Sequence, residues 1–254
     1  MAEFIKIEND GQVVKITLDR PKHNVLDIPM MNELNAELEK IAVDDELKCV
    51  VLTGEGRSFC AGVEVGDHKP DQVDEMVAVF NRIFELINMI DIPVIAAVSG
   101  ACFGGGMEVA IACDIVIASE KAIFGQPEIK LGFFPPYAAI RLPELVGPAK
   151  TIEILTTGQN YSAQASKDLG FVTRVASVDD FEEVVQKQVK QITMASPLII
   201  RLNKRAVKRH IGTSFAQGAD QVSDYFLNTL MKTEDTLEGI ASFEEKRRPD
   251  WKNK

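Results

Sequence analysis

The residues best suited to chemistry begin with three consecutive glycines, Gly104, Gly105 and Gly106, placed just before a predicted helix. Glycines leave backbone N–H groups unshielded, and the N-terminus of a helix favours negative charge. Such N–H groups suit a ligand oxygen that gains negative charge during a reaction, as in an oxyanion hole. Glycines are also used where a helix packs closely on a neighbouring strand. The triplet alone is compatible with both roles.

Two glutamates follow at positions where burial is expected. Glu108 lies in the first turn of the helix, and the rest of the segment 107–112 is apolar. Glu128 comes twenty residues later, after the next predicted strand. Because neighbouring parallel strands end at the same sheet edge, we expect both carboxyls in one poorly solvated pocket. Their repulsion then raises one pKa and leaves an acid and a base near neutral pH, which suits the addition or removal of water.

A second backbone donor is predicted in the loop that follows a strand at residues 49–53. Ala61 and Gly62 are small enough for a substrate to approach the backbone there. The N–H of Val63 is then expected to face that of Gly105, so that two N–H groups bind one oxygen atom. This loop does not define a site by itself.

Alternating patterns of strands and helices position these residues. Strands are predicted where short apolar runs end at turn residues, and helices where apolar residues recur at intervals of three and four. The predicted order is strand 13–18, helix 29–41, strand 49–53, helix 71–90, strand 94–98, helix 107–113 and strand 115–118. This alternation predicts an α/β fold whose crossovers place helices against a sheet.

A helical region is predicted to follow from about residue 196. Its helices span residues 197–210, 215–230 and 233–245, with Pro197 in a first turn and Thr233 as an N-cap. The apolar residues of this region are more numerous than it can bury against itself. We therefore expect it to pack on the core, on another subunit, or on both.

The composition limits the possible functions. The chain has 254 residues, a formal net charge of -10, 46% hydrophobic residues and 26% charged residues. This composition indicates a globular protein of one or two domains. The negative net charge argues against nucleic-acid partners, whose binding needs clustered lysine and arginine. No apolar run reaches the length of a membrane span, so no membrane partner is expected. The first residues resemble neither a signal nor a transit peptide, which makes the cytoplasm the expected compartment.

The cysteines and histidines lack the spacing of metal or redox motifs. The residues concerned are Cys49, Cys60, Cys102 and Cys113, and His23, His68 and His210. There is no Cys-x-x-Cys pair, and no two histidines stand four residues apart. We therefore expect buried cysteines and no metal.

Three segments, in this order and spacing, resemble the enoyl-CoA hydratase/isomerase (crotonase) superfamily. They are Phe59-Cys60-Ala61-Gly62-Val63-Glu64, Gly104-Gly105-Gly106-Met107-Glu108 and Phe124-Gly125-Gln126-Pro127-Glu128. The similarity extends over essentially the whole chain. It implies a crotonase-like spiral of ββα units in residues 1–195, with the CoA-ester site. A helical region in residues 196–254 is then expected to form trimers, commonly paired into hexamers.

The resemblance also implies roles for individual residues. Val63 and Gly105 match the two positions whose N–H groups bind the thioester carbonyl, and Glu108 and Glu128 match the glutamates that activate water and deliver a proton. The substrate is then an acyl-CoA thioester, with no separate cofactor, and the presence of both glutamates favours a hydratase. Residues matched to substrate binding are Lys22, His23, Val25, Ala61, Gly62, His68, Gly104, Phe133, Phe134, Tyr137, Phe243 and Lys246.

Longer motifs are similar to those of cyclohexa-1,5-diene-1-carbonyl-CoA hydratases of anaerobic benzoyl-CoA degradation. They lie in segments 65–72, 126–136 and 245–251. The resemblance implies addition of water to a cyclic dienoyl thioester, which gives 6-hydroxycyclohex-1-ene-1-carbonyl-CoA.

Departures from the common family pattern bear on the acyl group. Glu64 replaces the usual aspartate, and Pro135 and Pro136 replace a glycine-rich turn, which argues against a linear crotonyl-type substrate. The segment 133–137 is either a wall that fits a flat ring or a rigid turn, and His68 either borders the acyl pocket or lies in a surface loop. Two other functions stay open: hydration of short linear enoyl-CoA, and noncatalytic acyl-CoA binding by a scaffold protein.

Overall fold

Two sheets organise the chain in the computed structural model, which describes residues 2–209, 211–212 and 214–254. The strands are β1 (Ile5–Asn9), β2 (Val13–Leu18), β3 (Cys49–Gly54), β4 (Ser58–Cys60), β5 (Val94–Val98), β6 (Ala101–Phe103), β7 (Ile115–Ser119), β8 (Ile123–Gly125), β9 (Asn160–Ser162) and β10 (Arg174–Ala176). One sheet has the order β1-β2-β3-β5-β7-β10 and the other the order β4-β6-β8-β9. Only the β1–β2 and β8–β9 pairs are antiparallel among these strands.

Up to β8, each pair of strands is followed by a helix. They are α1 (Ile28–Ala42), α2 (Val73–Met89), α3 (Gly105–Ala112), α4 (Pro136–Val146), α5 (Pro148–Thr157), α6 (Ala163–Leu169), α7 (Phe181–Thr193), α8 (Pro197–Lys208), α9 (Phe215–Asn228) and α10 (Glu234–Glu244). The pairs β3–β4 and β5–β6 each place one strand in each sheet, and α2 and α3 follow them. The pair β7–β8 repeats the arrangement. This spiral of ββα units confirms the predicted fold class.

The long predicted helices and strands are confirmed within a few residues. In α1 the side chain of Asp27 accepts a hydrogen bond from the Met30 N–H, and the predicted apolar face is buried. Helix α3 begins at Gly105, two residues earlier than predicted, because the Glu108 N–H already donates to the Gly104 carbonyl at 2.9 Å. All four cysteines are buried, as predicted.

The C-terminal helices continue the chain after the last strand of the described residues. Thr233 caps α10 by accepting from the Thr236 N–H, as predicted. His210, the predicted last residue of α8, lies outside the described residues. Lys204 of α8 donates to the Ile92 carbonyl at 2.7 Å and pairs with Asp114 at 2.5 Å, so this helix packs on the core.

Exposed apolar side chains remain on the last two helices. They are Val222, Phe226, Leu227, Leu237, Ile240 and Phe243. Among the described residues, no helix combines the length and the apolar character that crossing a membrane requires.

Candidate functional site

A cavity of about 360 Å³ lies where the loop after β4, the start of α3 and the turn after β8 meet one face of α2. Neighbouring parallel strands β4, β6 and β8 bring these three segments to one sheet edge. Glu108 and Glu128 both line the cavity, as do Val63 and Gly105. Its apolar wall includes Val65, Val73, Met76, Val77, Phe80 and Leu131.

Two backbone N–H groups at the cavity have no acceptor among the described residues. Leu26 pairs with Val63 as a parallel bridge: the Leu26 N–H donates to the Gly62 carbonyl at 2.9 Å, and the Leu26 carbonyl accepts from Glu64 at 2.8 Å. The N–H of Val63 therefore points away from Leu26. Gly105 is the first residue of α3, so its N–H has no intrahelical acceptor. Both N–H groups are free to bind an oxygen atom.

Each glycine of the triplet lies where an added side chain would meet a close neighbour. A Cβ on Gly104, whose φ is +53°, would lie 2.6 Å from Oε1 of Glu128, and one on Gly105 would lie 2.6 Å from Cγ2 of Val63. Gly106 instead packs directly on the backbone of Cys60 in β4. The first two glycines therefore keep the cavity open, whereas the third allows α3 to approach the strand.

Glu108 is 2% exposed, and its carboxylate lies at the N-terminus of α4. Burial raises its pKa to about 7, and the negative charge of Glu128 acts in the same direction. The backbone N–H groups of Ala138 and Tyr137 oppose this rise in pKa, and Ala138 donates to Oε1 at 2.8 Å. The first donor of α4 is Tyr137, since Pro136 has no N–H. Burial therefore raises the pKa of Glu108, and the N-terminus of α4 limits this rise.

Glu128 lies in the 3-10 turn Pro127–Leu131 after β8. Burial raises its pKa to about 7, and its own backbone N–H opposes the rise. In the amide orientation that satisfies hydrogen bonding, the fully buried Gln126 donates to both carboxylate oxygens of Glu128 at 3.1 Å. This contact also favours the charged form. Sequence reasoning did not single out Gln126; the available signal was a polar residue directly before Pro127 in a largely apolar segment.

The free energy of unfolding of the wild type is expected to decrease, relative to that of a Glu108→Gln/Glu128→Gln variant, as the pH rises from about 4.5 through about 7. Both carboxyls have a folded pKa of about 7, against an ordinary value of 4.5. The unfolded chain therefore releases these protons first and binds fewer of them in this window, so stability decreases with rising pH. Urea unfolding at a series of pH values measures the difference, and a difference independent of pH would contradict the expectation.

The other predicted binding residues divide into two groups. Ala61, Gly62, His68, Gly104, Phe133 and Phe134 line the cavity. Lys22, His23, Val25, Tyr137, Phe243 and Lys246 do not appear in its wall. The ring of Tyr137 stacks instead on Phe84, with centroids 3.8 Å apart, and His23 Nδ1 lies 2.9 Å from Oγ of Ser58. The aromatic part of the wall therefore ends before Tyr137.

Metal-binding geometry is not found within the part of the chain that the structure describes, where no three His, Cys, Asp or Glu side chains group as ligands.

Known proteins share this chain's sequence and fold. The sequence model of the family described as Enoyl-CoA hydratase/isomerase matches residues 8–254. A Rhizobium meliloti (strain 1021) protein named "Probable enoyl-CoA hydratase" is 36% identical over 255 residues, 99% of each chain. Carnitinyl-CoA dehydratase of Proteus mirabilis (strain HI4320) is 32% identical over 262 residues, 100% of each chain. The crystal structure of enoyl-CoA hydratase from Bacillus anthracis has a TM-score of 0.94 and 33% identity, and covers 99% of this chain and 100% of that one. This protein therefore belongs to the enoyl-CoA hydratase/isomerase (crotonase) superfamily and is an enzyme of the hydratase type.

Proposed function

We propose that the cavity adds water to the conjugated double bond of an enoyl-CoA thioester, with Glu108 and Glu128 as acid and base. One observation carries the proposal: two carboxyls of raised pKa and two unpartnered backbone N–H groups line the same cavity. Burial raises both pKa values to about 7, and the charge of Glu128 further raises the pKa of Glu108, so the state in which one carboxyl is protonated and the other ionised is favoured near neutral pH. A hydratase needs that combination.

The proposed reaction follows from this arrangement. The ionised glutamate accepts a proton from water as the water oxygen bonds to the β carbon, and electron density moves to the thioester oxygen. The N–H groups of Val63 and Gly105 bind that oxygen and stabilise the enolate. The protonated glutamate then delivers its proton to the α carbon. One water is consumed, and the product is a 3-hydroxyacyl-CoA.

The acyl group has two candidates. A short linear enoyl-CoA needs only the apolar wall of α2 and the two carboxyls, and it fits the named hydratases among the relatives. A cyclic dienoyl-CoA, hydrated to 6-hydroxycyclohex-1-ene-1-carbonyl-CoA with the proton added at the far end of the diene, is the second. The observation in its favour is that Phe133, Phe134 and Pro136 line the cavity and provide flat surfaces for a ring.

A side-by-side assay of the purified protein with crotonyl-CoA and cyclohexa-1,5-diene-1-carbonyl-CoA separates the two candidates. Mass spectrometry of the products is expected to show the gain of one water on the preferred thioester. Hydration of the linear thioester alone would exclude the cyclic specificity. Tight binding of both thioesters without turnover of either would instead support a noncatalytic acyl-CoA-binding protein.

We also propose that the protein forms a homotrimer or a dimer of trimers, with residues 1–195 as the catalytic core and residues 196–254 as the assembling region. The exposed apolar side chains of α9 and α10 support this proposal because a monomer would leave them in water. Phe243 and Lys246 are exposed, so in such an assembly their substrate contact would be with a neighbouring subunit. Lys22, His23 and Val25 stay predicted binding residues, as does the absence of a separate cofactor.

A further inference from the structure

Two polar side chains line the cavity in addition to the glutamates. They are His68 and Asn81, and the remaining described wall residues are apolar or glycine. Neither of these side chains is needed for the proton transfers of the proposed function. His68 is half-buried and Asn81 is exposed. A bound acyl chain would cover the His68 ring further, and a ring nitrogen left unpaired there would weaken binding, which favours a polar partner in the ligand.

His68 is held in place from two sides. Its Nδ1 lies 3.0 Å from the carbonyl oxygen of Glu64, the residue after Val63. Its ring stacks on Phe133, with centroids 4.9 Å apart and an angle of 27° between the planes. Phe133 is itself tied to the catalytic turn, since its N–H donates to the Glu128 carbonyl at 3.0 Å. The histidine and phenylalanine rings therefore bridge the loop that holds Val63 and the turn that holds Glu128.

The hydrogen bond to Glu64 identifies which ring nitrogen of His68 donates and which can accept. A carbonyl oxygen only accepts, so Nδ1 is the donor in this contact, and in the tautomer that this requires Nε2 is an acceptor. No described residue donates to this Nε2. Nε2 of His68 is therefore a hydrogen-bond acceptor in the apolar part of the cavity wall, and the stacked ring of Phe133 holds its orientation.

We propose that His68 is a specificity-determining residue, whose Nε2 accepts a hydrogen bond from a hydroxyl group on the acyl chain beyond the hydrated double bond. The preferred substrate class is then hydroxyl-bearing enoyl-CoA thioesters. This inference rests on the proposed function, and it selects one class among its substrates. A methyl group in place of the hydroxyl would leave Nε2 desolvated and unpaired.

Matched pairs of thioesters test the inference. Each pair has a terminal hydroxyl in one member and a methyl group in the other: 4-hydroxybut-2-enoyl-CoA with pent-2-enoyl-CoA, 5-hydroxypent-2-enoyl-CoA with hex-2-enoyl-CoA, and 6-hydroxyhex-2-enoyl-CoA with hept-2-enoyl-CoA. The wild type is expected to favour the hydroxyl member in kcat/KM by about tenfold in at least one pair. The ratio within each pair is the readout, so a general change in rate does not affect it.

Three substitutions of His68 separate its two nitrogens. His68→Asn keeps an amide near Nδ1 but has no acceptor near Nε2, and His68→Phe has neither; both are expected to lose the tenfold ratio. His68→Gln places an amide oxygen near Nε2 and is expected to retain part of the ratio. Circular dichroism checks that each variant is folded. The control variant is Asn81→Ala, which changes the other polar residue of the wall and is expected to keep the tenfold ratio.

Several outcomes would overturn the inference. They are a wild-type ratio near one in every pair, a ratio that persists in both His68→Asn and His68→Phe, or a ratio that is lost in Asn81→Ala but kept in His68→Asn. If the wild type hydrates the methyl members without preference, only the role of His68 falls. If it hydrates none of the six thioesters and neither crotonyl-CoA nor cyclohexa-1,5-diene-1-carbonyl-CoA, the proposed function falls as well.

Discussion

Replacing Glu108 or Glu128 by glutamine is expected to lower kcat/KM for hydration by about 10²- to 10⁴-fold, the range that a positioned acid or base supplies. Glutamine has nearly the same size and neither accepts nor delivers the proton. Both carboxyls lie in one cavity, and burial raises both pKa values to about 7. Without either carboxyl, the enzyme therefore lacks a group for one of the two proton transfers that the addition of water requires.

Folding is expected to survive these substitutions. The amide oxygen of Gln at position 108 still accepts from the Ala138 N–H, which donates to Glu108 at 2.8 Å in the wild type. The neutral amide also avoids the cost of an ionised group in a poorly solvated cavity. Initial rates with the preferred enoyl thioester, together with a binding measurement for the same thioester, separate loss of chemistry from loss of affinity.

Glu75→Gln provides the matched control for both variants. Glu75 is exposed in the first turn of α2 and does not line the cavity. Its substitution changes the net charge by the same amount and is expected to leave the rate at the wild-type value. Wild-type turnover in Glu108→Gln or Glu128→Gln would contradict the assignment of the two carboxyls as acid and base.

The shared cavity of Glu108 and Glu128 was predictable because it follows from topology. The predicted strands that precede the two glutamates, β5 and β7, are parallel neighbours, so the segments that follow them reach the same edge of the fold. Long amphipathic helices such as α2 were predictable for a similar reason, since seventeen residues give a clear apolar period. These features follow from the order of strands and helices and from the periodicity of apolar residues, and they do not require knowledge of side-chain packing.

Other features depend on contacts between distant segments, which a single sequence does not reveal. Strands β4, β6, β8, β9 and β10 have three residues each, too few for an alternation to be recognised. The stacking of Tyr137 on Phe84 and the contact of Gln126 with Glu128 are set by packing. Helix α7 has an apolar face, but only the structure shows that Val185 packs on the outer side of the large sheet.

Gly105 determines the spacing of the two backbone donors. A methyl group at this position would lie 2.6 Å from Cγ2 of Val63 and 3.0 Å from Cζ of Phe80, closer than ordinary van der Waals contact. The Val63 side chain would have to move, and its backbone N–H is one of the two groups proposed to bind the thioester oxygen. Because the methyl group overpacks this wall, it is expected both to distort the geometry of the site and to lower the stability of the protein.

Gly105→Ala is accordingly expected to lower kcat by about 10²- to 10³-fold, the effect of removing one oxyanion donor, while the overpacking lowers the free energy of unfolding by about 1–3 kcal/mol and leaves the protein folded. The loss of enoyl-thioester absorbance measures the rate, and a thermal melt measures stability. Gly66→Ala is the matched control, because its added Cβ meets only Cγ of Glu64 at 3.8 Å. It is expected to keep the wild-type kcat. A Gly105→Ala variant with undiminished kcat would show that charge does not develop between the N–H groups of Val63 and Gly105, and the enolate would then have to be stabilised elsewhere in the cavity.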